Sequence, residues 1–270
     1  EIAGNLVSAT NFGSLHPYGE VMTEETLENI SRQDLVEYHK TYFRPNAAYL
    51  IVVGDITPDE AYAKANAHFG NWYRGDIPYT RIMPAKFPTG NQVRFAAVEG
   101  AVQSTINITQ PVPFPPGHPD AAAIQLMNSI LGGGAFSGRL MQNLREDKAF
   151  TYGARCSLSA DPVTAQFIAY ADVRSEVTDS ALVEFMAEIH RIRDEQVDST
   201  ELATAKAFLS GSFARSLENE GTVARFALNI ERYDLPEDHY QTYLQRLDAV
   251  TVEDIQRVAK NMLKLSLIHI

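Results

Sequence analysis

An arginine and a tyrosine, Arg145 and Tyr152, flank an acidic turn in the stretch "LREDKAFTYGA" (residues 144–154). A guanidinium brings a planar fork of hydrogen-bond donors and a phenol brings one more. On their own the two residues favour a plainer reading, an arginine bonding the carbonyls at its own helix end and a tyrosine packed at a sheet edge. Just upstream runs "LGGGAFSGRL" (residues 131–140), which contains the glycine run Gly132, Gly133 and Gly134. Backbone amides at a glycine-rich helix start can cradle phosphate. Here the run follows a helical pattern and lacks the Lys-Ser/Thr ending, so the expectation is a helix-to-helix turn in which glycine supplies positive φ and Ser137 caps.

Other chemistry is thinly represented. The seven histidines (His16, His39, His68, His118, His190, His239, His269) include no pair three or four apart, so no helical zinc pair is written here. His39, His68 and His190 read as surface residues, His16 in "HPYGE" as a loop residue bonding backbone, and His118 as a residue just before a helix cap. No G-x-S-x-G elbow occurs, and the single cysteine, Cys156, alternates with Ala154 and Leu158 as a packed strand thiol does.

These residues must be positioned by a sizeable fold. The chain has 270 residues, 45% of them hydrophobic, enough to fill a core. Its 23 basic and 34 acidic residues give a net charge of −11, which argues against nucleic acid and anionic lipid as partners. No apolar run reaches the roughly 18 residues of a membrane span.

Periodicity predicts an irregular segment over 1–22, short helices over 24–30 and 31–43, a strand over 48–53, and a helix from the Thr57 cap to Phe69. A proline-rich linker covers 75–92. Strands follow near 93–98 and 104–109, then a helix capped by Asp120 and another begun by Ser137. A hairpin over 152–159 and 164–173 comes next, and helices over 178–195, 199–218, 221–233, 237–248 and 251–263 complete the pattern. Paired strands and gathered helices mean α+β, a mainly antiparallel sheet covered by helices. The segment 30–43 is echoed at 250–263, each with a hydroxyl cap, an acid in the first turn and helical apolar spacing. The expected organisation is therefore a duplicated unit: residues 1–74 are the end of a first copy, and 93–264 a nearly complete second. The terminal "LSLIHI" (residues 265–270) back-translates to a sequencing-adapter end, which marks a metagenomic fragment and excludes these residues from the expected fold.

Taken together, "NAAYLIVVGDI", "LGGGAFSGRLMQNLRE" and "KAFTYGA" resemble the pitrilysin/insulinase-type zinc metallopeptidases, the family of the mitochondrial processing peptidase and its bacterial relatives. That family carries an H-x-x-E-H zinc signature, which is absent here. The resemblance implies the C-terminal, non-zinc portion of a zinc metalloendopeptidase, with zinc bound in the complete enzyme by residues outside this chain. It also implies two partners, a peptide substrate and a zinc-bearing catalytic unit that is fused or separate. Arg145 and Tyr152 fall where the family's substrate-gripping pair lies, and the resemblance implies that Gly132, Gly133 and Gly134 form a hinge or substrate-path loop beside it. A catalytically inactive relative of the respiratory-complex core-subunit type is the alternative. The bacterial relatives are often periplasmic, which sets the expected compartment.

Overall fold

The computed structural model describes residues 2–85, 90, 92–134, 137–264 and 267–269. By contacts the chain divides into two compact units. One contains residues 1–21, 82–212 and 241–270, and the other contains 22–81 and 213–240. The division does not follow chain order across 75–92.

The first unit is an α+β layer. Its sheet has the order β1–β5–β2–β4–β3, built from β1 (Gln92–Arg94), β2 (Gln103–Val112), β3 (Thr151–Leu158), β4 (Ala165–Arg174) and β5 (Leu267–His269). The three long strands are antiparallel, with Ile106 opposite Ala171 and Ile108 opposite Ala169 on β4, and Ala154 and Cys156 opposite the same two residues from the other side. Strict alternation thus lays one apolar face across β2, β4 and β3. Against that face pack α5 (Ala121–Asn128), α7 (Thr178–Asp194) and α11 (Val252–Met262), which bury Ile124, Phe185, Ile189, Ile255 and Val258 in the shared core. The short strand β5 lies within the hexapeptide set aside as an adapter end. Pairing uses main-chain groups alone, so a short extended segment of almost any sequence can fill the place between β1 and β2.

Segment 1–22, read as irregular, instead begins with helix α1 (Ile2–Phe12). Its buried positions Val7 and Asn11 are one helical turn apart, and Asn11 donates to the Thr109 hydroxyl on the outer face of β2 at 2.7 Å. Gly13, at φ 78°, ends the helix in the left-handed conformation, its N–H returning to the Ala9 carbonyl at 2.9 Å. His16 does bond backbone: its Nδ1 accepts from the Tyr18 N–H at 3.0 Å, and its ring stacks on Phe12.

The second unit contains α2 (Glu24–Glu28), α3 (Arg32–Tyr42), α4 (Pro58–Phe69) and α9 (Glu220–Tyr233), with a ring stack of Phe213, Phe226 and Tyr240. The strand predicted over 48–53 is not formed, and Tyr49, Leu50, Val52 and Val53 are exposed. A strand needs a neighbour for its backbone groups, and none of the described strands pairs with this segment. The remaining helices are α6 (Arg139–Met141), α8 (Ser199–Ser216) and α10 (Tyr243–Asp248), the last starting later than the predicted 237.

Candidate functional site

Arg145 does not close an ordinary α-helix. Two π-helical turns occur here: Ser129–Gly133, which takes in Gly132 and Gly133, and Gln142–Asp147, in which Arg145 lies. Each is marked by an i→i+5 hydrogen bond, from Gly134 N–H to Ser129 O at 3.1 Å and from Lys148 N–H to Asn143 O at 3.0 Å. Ala149 then takes φ 53°, a conformation usually left to glycine, and its N–H returns to the Arg145 carbonyl at 3.1 Å. Phe150 N–H reaches back to Leu144 O at 2.9 Å, so the acidic turn is closed by a stack of main-chain bonds.

A bulge in β3 delivers Tyr152. Thr151 pairs with Val173 and Ala154 with Ala171, so three steps on β3 match two on β4. By parity alone Tyr152 would share the buried face of Ala154, Cys156 and Leu158. The extra residue turns it outward, and Tyr152 is 93% exposed. Thr151 secures the bulge, its hydroxyl donating to Asp172 O at 2.6 Å. Arg145 is 36% exposed, with Glu146 at 3.5 Å. Neither residue lines the cleft of about 770 Å³ between α1, residues 95–98 and the start of β2.

The glycines serve close packing rather than positive φ. A Cβ on Gly138 would lie 2.7 Å from the Gly132 Cα, and one on Gly132 would lie 3.0 Å from the Cys156 amide nitrogen. Two backbone segments therefore cross on β3 with no room for a side chain. Ser137, expected to cap, does not: Gly138 occupies the N-cap position and makes no side-chain cap bond. Asp120, the other expected cap, makes none either, and its carboxylate instead accepts two bonds from Arg257, at 2.9 and 2.8 Å.

Side chains distant in sequence support α6 and the second π turn. Arg139, buried beside Gly138, makes a bidentate pair with Glu201 on α8, both contacts at 2.7 Å. Burial works against its charge, but the hydrogen bonds and field of Glu201 outweigh that and raise its pKa above the ordinary value. Asn143 donates to Glu184 at 3.0 Å and to Glu188 at 2.9 Å, and Lys148 pairs with Glu184 at 3.3 Å. The Asn143 hydrogen bond, aided by Lys148, holds the Glu184 carboxyl below its usual range. None of these partners is readable locally, since Asn143 and Glu184 are 41 residues apart and Arg139 and Glu201 are 62 apart.

Cys156 is buried, donates to the Asn128 carbonyl at 3.4 Å, and has its thiol pKa pushed up by burial, as befits a packed strand residue. His39, His68 and His190 are exposed, and His118 Nδ1 accepts from the Asp120 N–H at 3.1 Å. Among the described residues no three His, Cys, Asp or Glu side chains cluster to hold a metal ion, and these residues do not compose a zinc site. Among them also, no helix is long and apolar enough to cross a membrane.

A family model described as "Peptidase M16 inactive domain" matches residues 29–209, two thirds of the chain. The chain belongs to this family. The M16 inactive domain here is 24% identical over 266 residues to the "Uncharacterized zinc protease YmxG" of Bacillus subtilis (strain 168), covering 97% of this chain and 63% of that protein. It is 29% identical over 111 residues to the human mitochondrial-processing peptidase subunit beta, covering 40% of this chain and 22% of that subunit. The crystal structure of a peptidase M16 inactive domain from Pseudomonas fluorescens superposes with a TM-score of 0.90 at 22% identity, over 99% of this chain and 64% of that one, and so shares its fold. The chain thus spans less than two thirds of the curated relative YmxG.

Proposed function

We propose that this M16 inactive domain is the substrate-gripping, non-zinc portion of a zinc metalloendopeptidase, and that Arg145 and Tyr152 hold an extended peptide for cleavage by a zinc-bearing unit, fused or separate. The observation that carries the reading is the bulge at Thr151–Ala154, which turns a large aromatic out of the core and leaves it 93% exposed on the sheet's edge strand. Covering an apolar ring of this size is worth about 1.5–3 kcal/mol, so a ligand that packs on Tyr152 gains from the contact. Arg145 adds the planar fork suited to a carbonyl or carboxylate, and the π turn and the left-handed Ala149 fix its backbone beforehand. Relatives named zinc proteases and a processing-peptidase subunit support a peptide as the ligand. Hydrolysis itself belongs to the zinc-bearing unit. The role of the residues here is to bind successive carbonyls and keep the peptide extended.

The test is Arg145→Lys in the zinc-loaded assembly. An ammonium keeps the charge and loses the fork, so kcat/KM for an unfolded peptide should fall on the order of 100-fold. Unchanged kcat/KM rejects the gripping role.

A further inference from the structure

We propose that Glu184 on α7 is a positioning residue that staples the two ends of the π-helical turn Gln142–Asp147 and thereby sets the direction in which Arg145 is presented. One carboxylate takes both arms: Oε2 accepts from the Asn143 side-chain amide at 3.0 Å, and Oε1 pairs with the Lys148 ammonium at 3.3 Å. Asn143 and Lys148 are the residues joined by the i→i+5 backbone bond at 3.0 Å, and the Lys148 N–H is shared with the Arg145 carbonyl. In an α-helix, at about 100° per residue, positions five apart lie about 140° apart around the axis and cannot both face one acceptor. The wider π turn brings them toward one side. A carboxylate binding both therefore favours the π form over the α form.

The choice matters for what the turn carries. Winding the same residues as α-helix would rotate everything after the inserted residue by about 100°, moving Arg145 relative to Ala149 and the bulge that displays Tyr152. Glu188, one turn along α7, accepts from the same Asn143 amide at 2.9 Å and holds that arm alone. Gln142 Nε2 also donates to Asp147 Oδ1 at 3.0 Å across the turn itself, but among the described residues Glu184 is the one group outside the turn that bonds both Asn143 and Lys148. That Arg145's direction governs peptide binding rests on the function proposed above, whereas the staple itself does not.

The experiment uses the full chain, with amide exchange by NMR and binding of a fluorescein-labelled, unstructured Ala/Ser peptide by anisotropy. In Glu184→Ala the Lys148 amide should exchange at least about tenfold faster, with the Phe167 amide still protected, and the peptide Kd should rise toward that of Arg145→Ala. Glu184→Gln keeps an acceptor for Asn143 and should recover part of the protection. If Glu184→Ala does not fold, Lys148→Met removes one arm only, and the amide at position 148 should still exchange several-fold faster. Unchanged exchange at position 148 in Glu184→Ala or, where that variant is unfolded, in Lys148→Met overturns the staple. If Arg145→Ala binds the peptide as the unaltered chain does while Glu184→Ala loosens the turn, the gripping role falls and the staple stands.

Discussion

Helix α3 opens on Ser31, whose hydroxyl accepts from the Asp34 N–H at 3.3 Å while the Asp34 carboxylate accepts from the Ser31 N–H at 2.8 Å. Helix α11, 220 residues later, opens on Thr251 and Asp254 with the same reciprocal pair at 3.2 and 3.1 Å. Their surroundings are opposite. Helix α11 buries Ile255, Val258, Ala259 and Met262 against the sheet layer, whereas α3 buries nothing. At the matching positions Ile255 is 0% exposed and Leu35 is 61% exposed. A helix start is set by residues within one turn of each other, so it forms wherever its residues occur. Whether the apolar stripe is buried depends on a partner surface, which the second unit does not supply to α3 among the described residues. The same difference separates the β2–β4 ladder, where each strand has a neighbour, from the unpaired segment 48–53.

The contrast can be broken in the order of its expected energies. Ile255→Ala should cost about 2–5 kcal/mol of unfolding free energy, and Leu35→Ala no more than about 0.5 kcal/mol, both measured by urea titration. Equal costs would mean that α3 is covered after all. A smaller effect separates the caps: Thr251→Ala should destabilise the sheet unit by about 1 kcal/mol. Ser31→Ala should leave that unit's transition in place and lower only helical circular dichroism. The smallest effect is electrostatic. Arg257 donates to both Asp120 and Asp254, and its hydrogen bonds hold both carboxyls below the usual carboxylate range. A carboxylate with a depressed folded-state pKa stabilises fully above its unfolded pKa and loses that contribution as pH falls through the folded value. Arg257→Gln should therefore cost no more than about 1 kcal/mol near neutrality. The gap to the unaltered chain should close below about pH 4.

What the sequence made legible was short-range or strictly periodic. The caps at Ser31, Thr57 and Thr251 are present, the hairpin of β3 and β4 alternates as its residues dictate, and His16 and Cys156 do what their neighbours suggest. Helix α1 escaped because Gly4 and its small polar residues blur the period, although Gly13 as a stop signal was there to read. The order of motifs points to Arg145 and Tyr152, but not to how the fold displays them. A π turn and a bulge each insert one residue, and that insertion arises from pairing with distant partners, Glu184 and β4, that no local window contains. The glycine run was read for torsional freedom, whereas its use is the close crossing of Gly132 and Gly138 on β3. Composition cannot distinguish those two uses.

The sealed thiol of Cys156 has a practical consequence. It is the sole cysteine, and it sits between the sheet and the Asn128 carbonyl, so a maleimide or Ellman's reagent added to the folded chain has nothing to attack until that layer parts. The rate of labelling is then a direct clock of opening in the sheet unit. A single cysteine introduced at position 152 would carry a dye at the displayed edge with no background from the rest of the molecule.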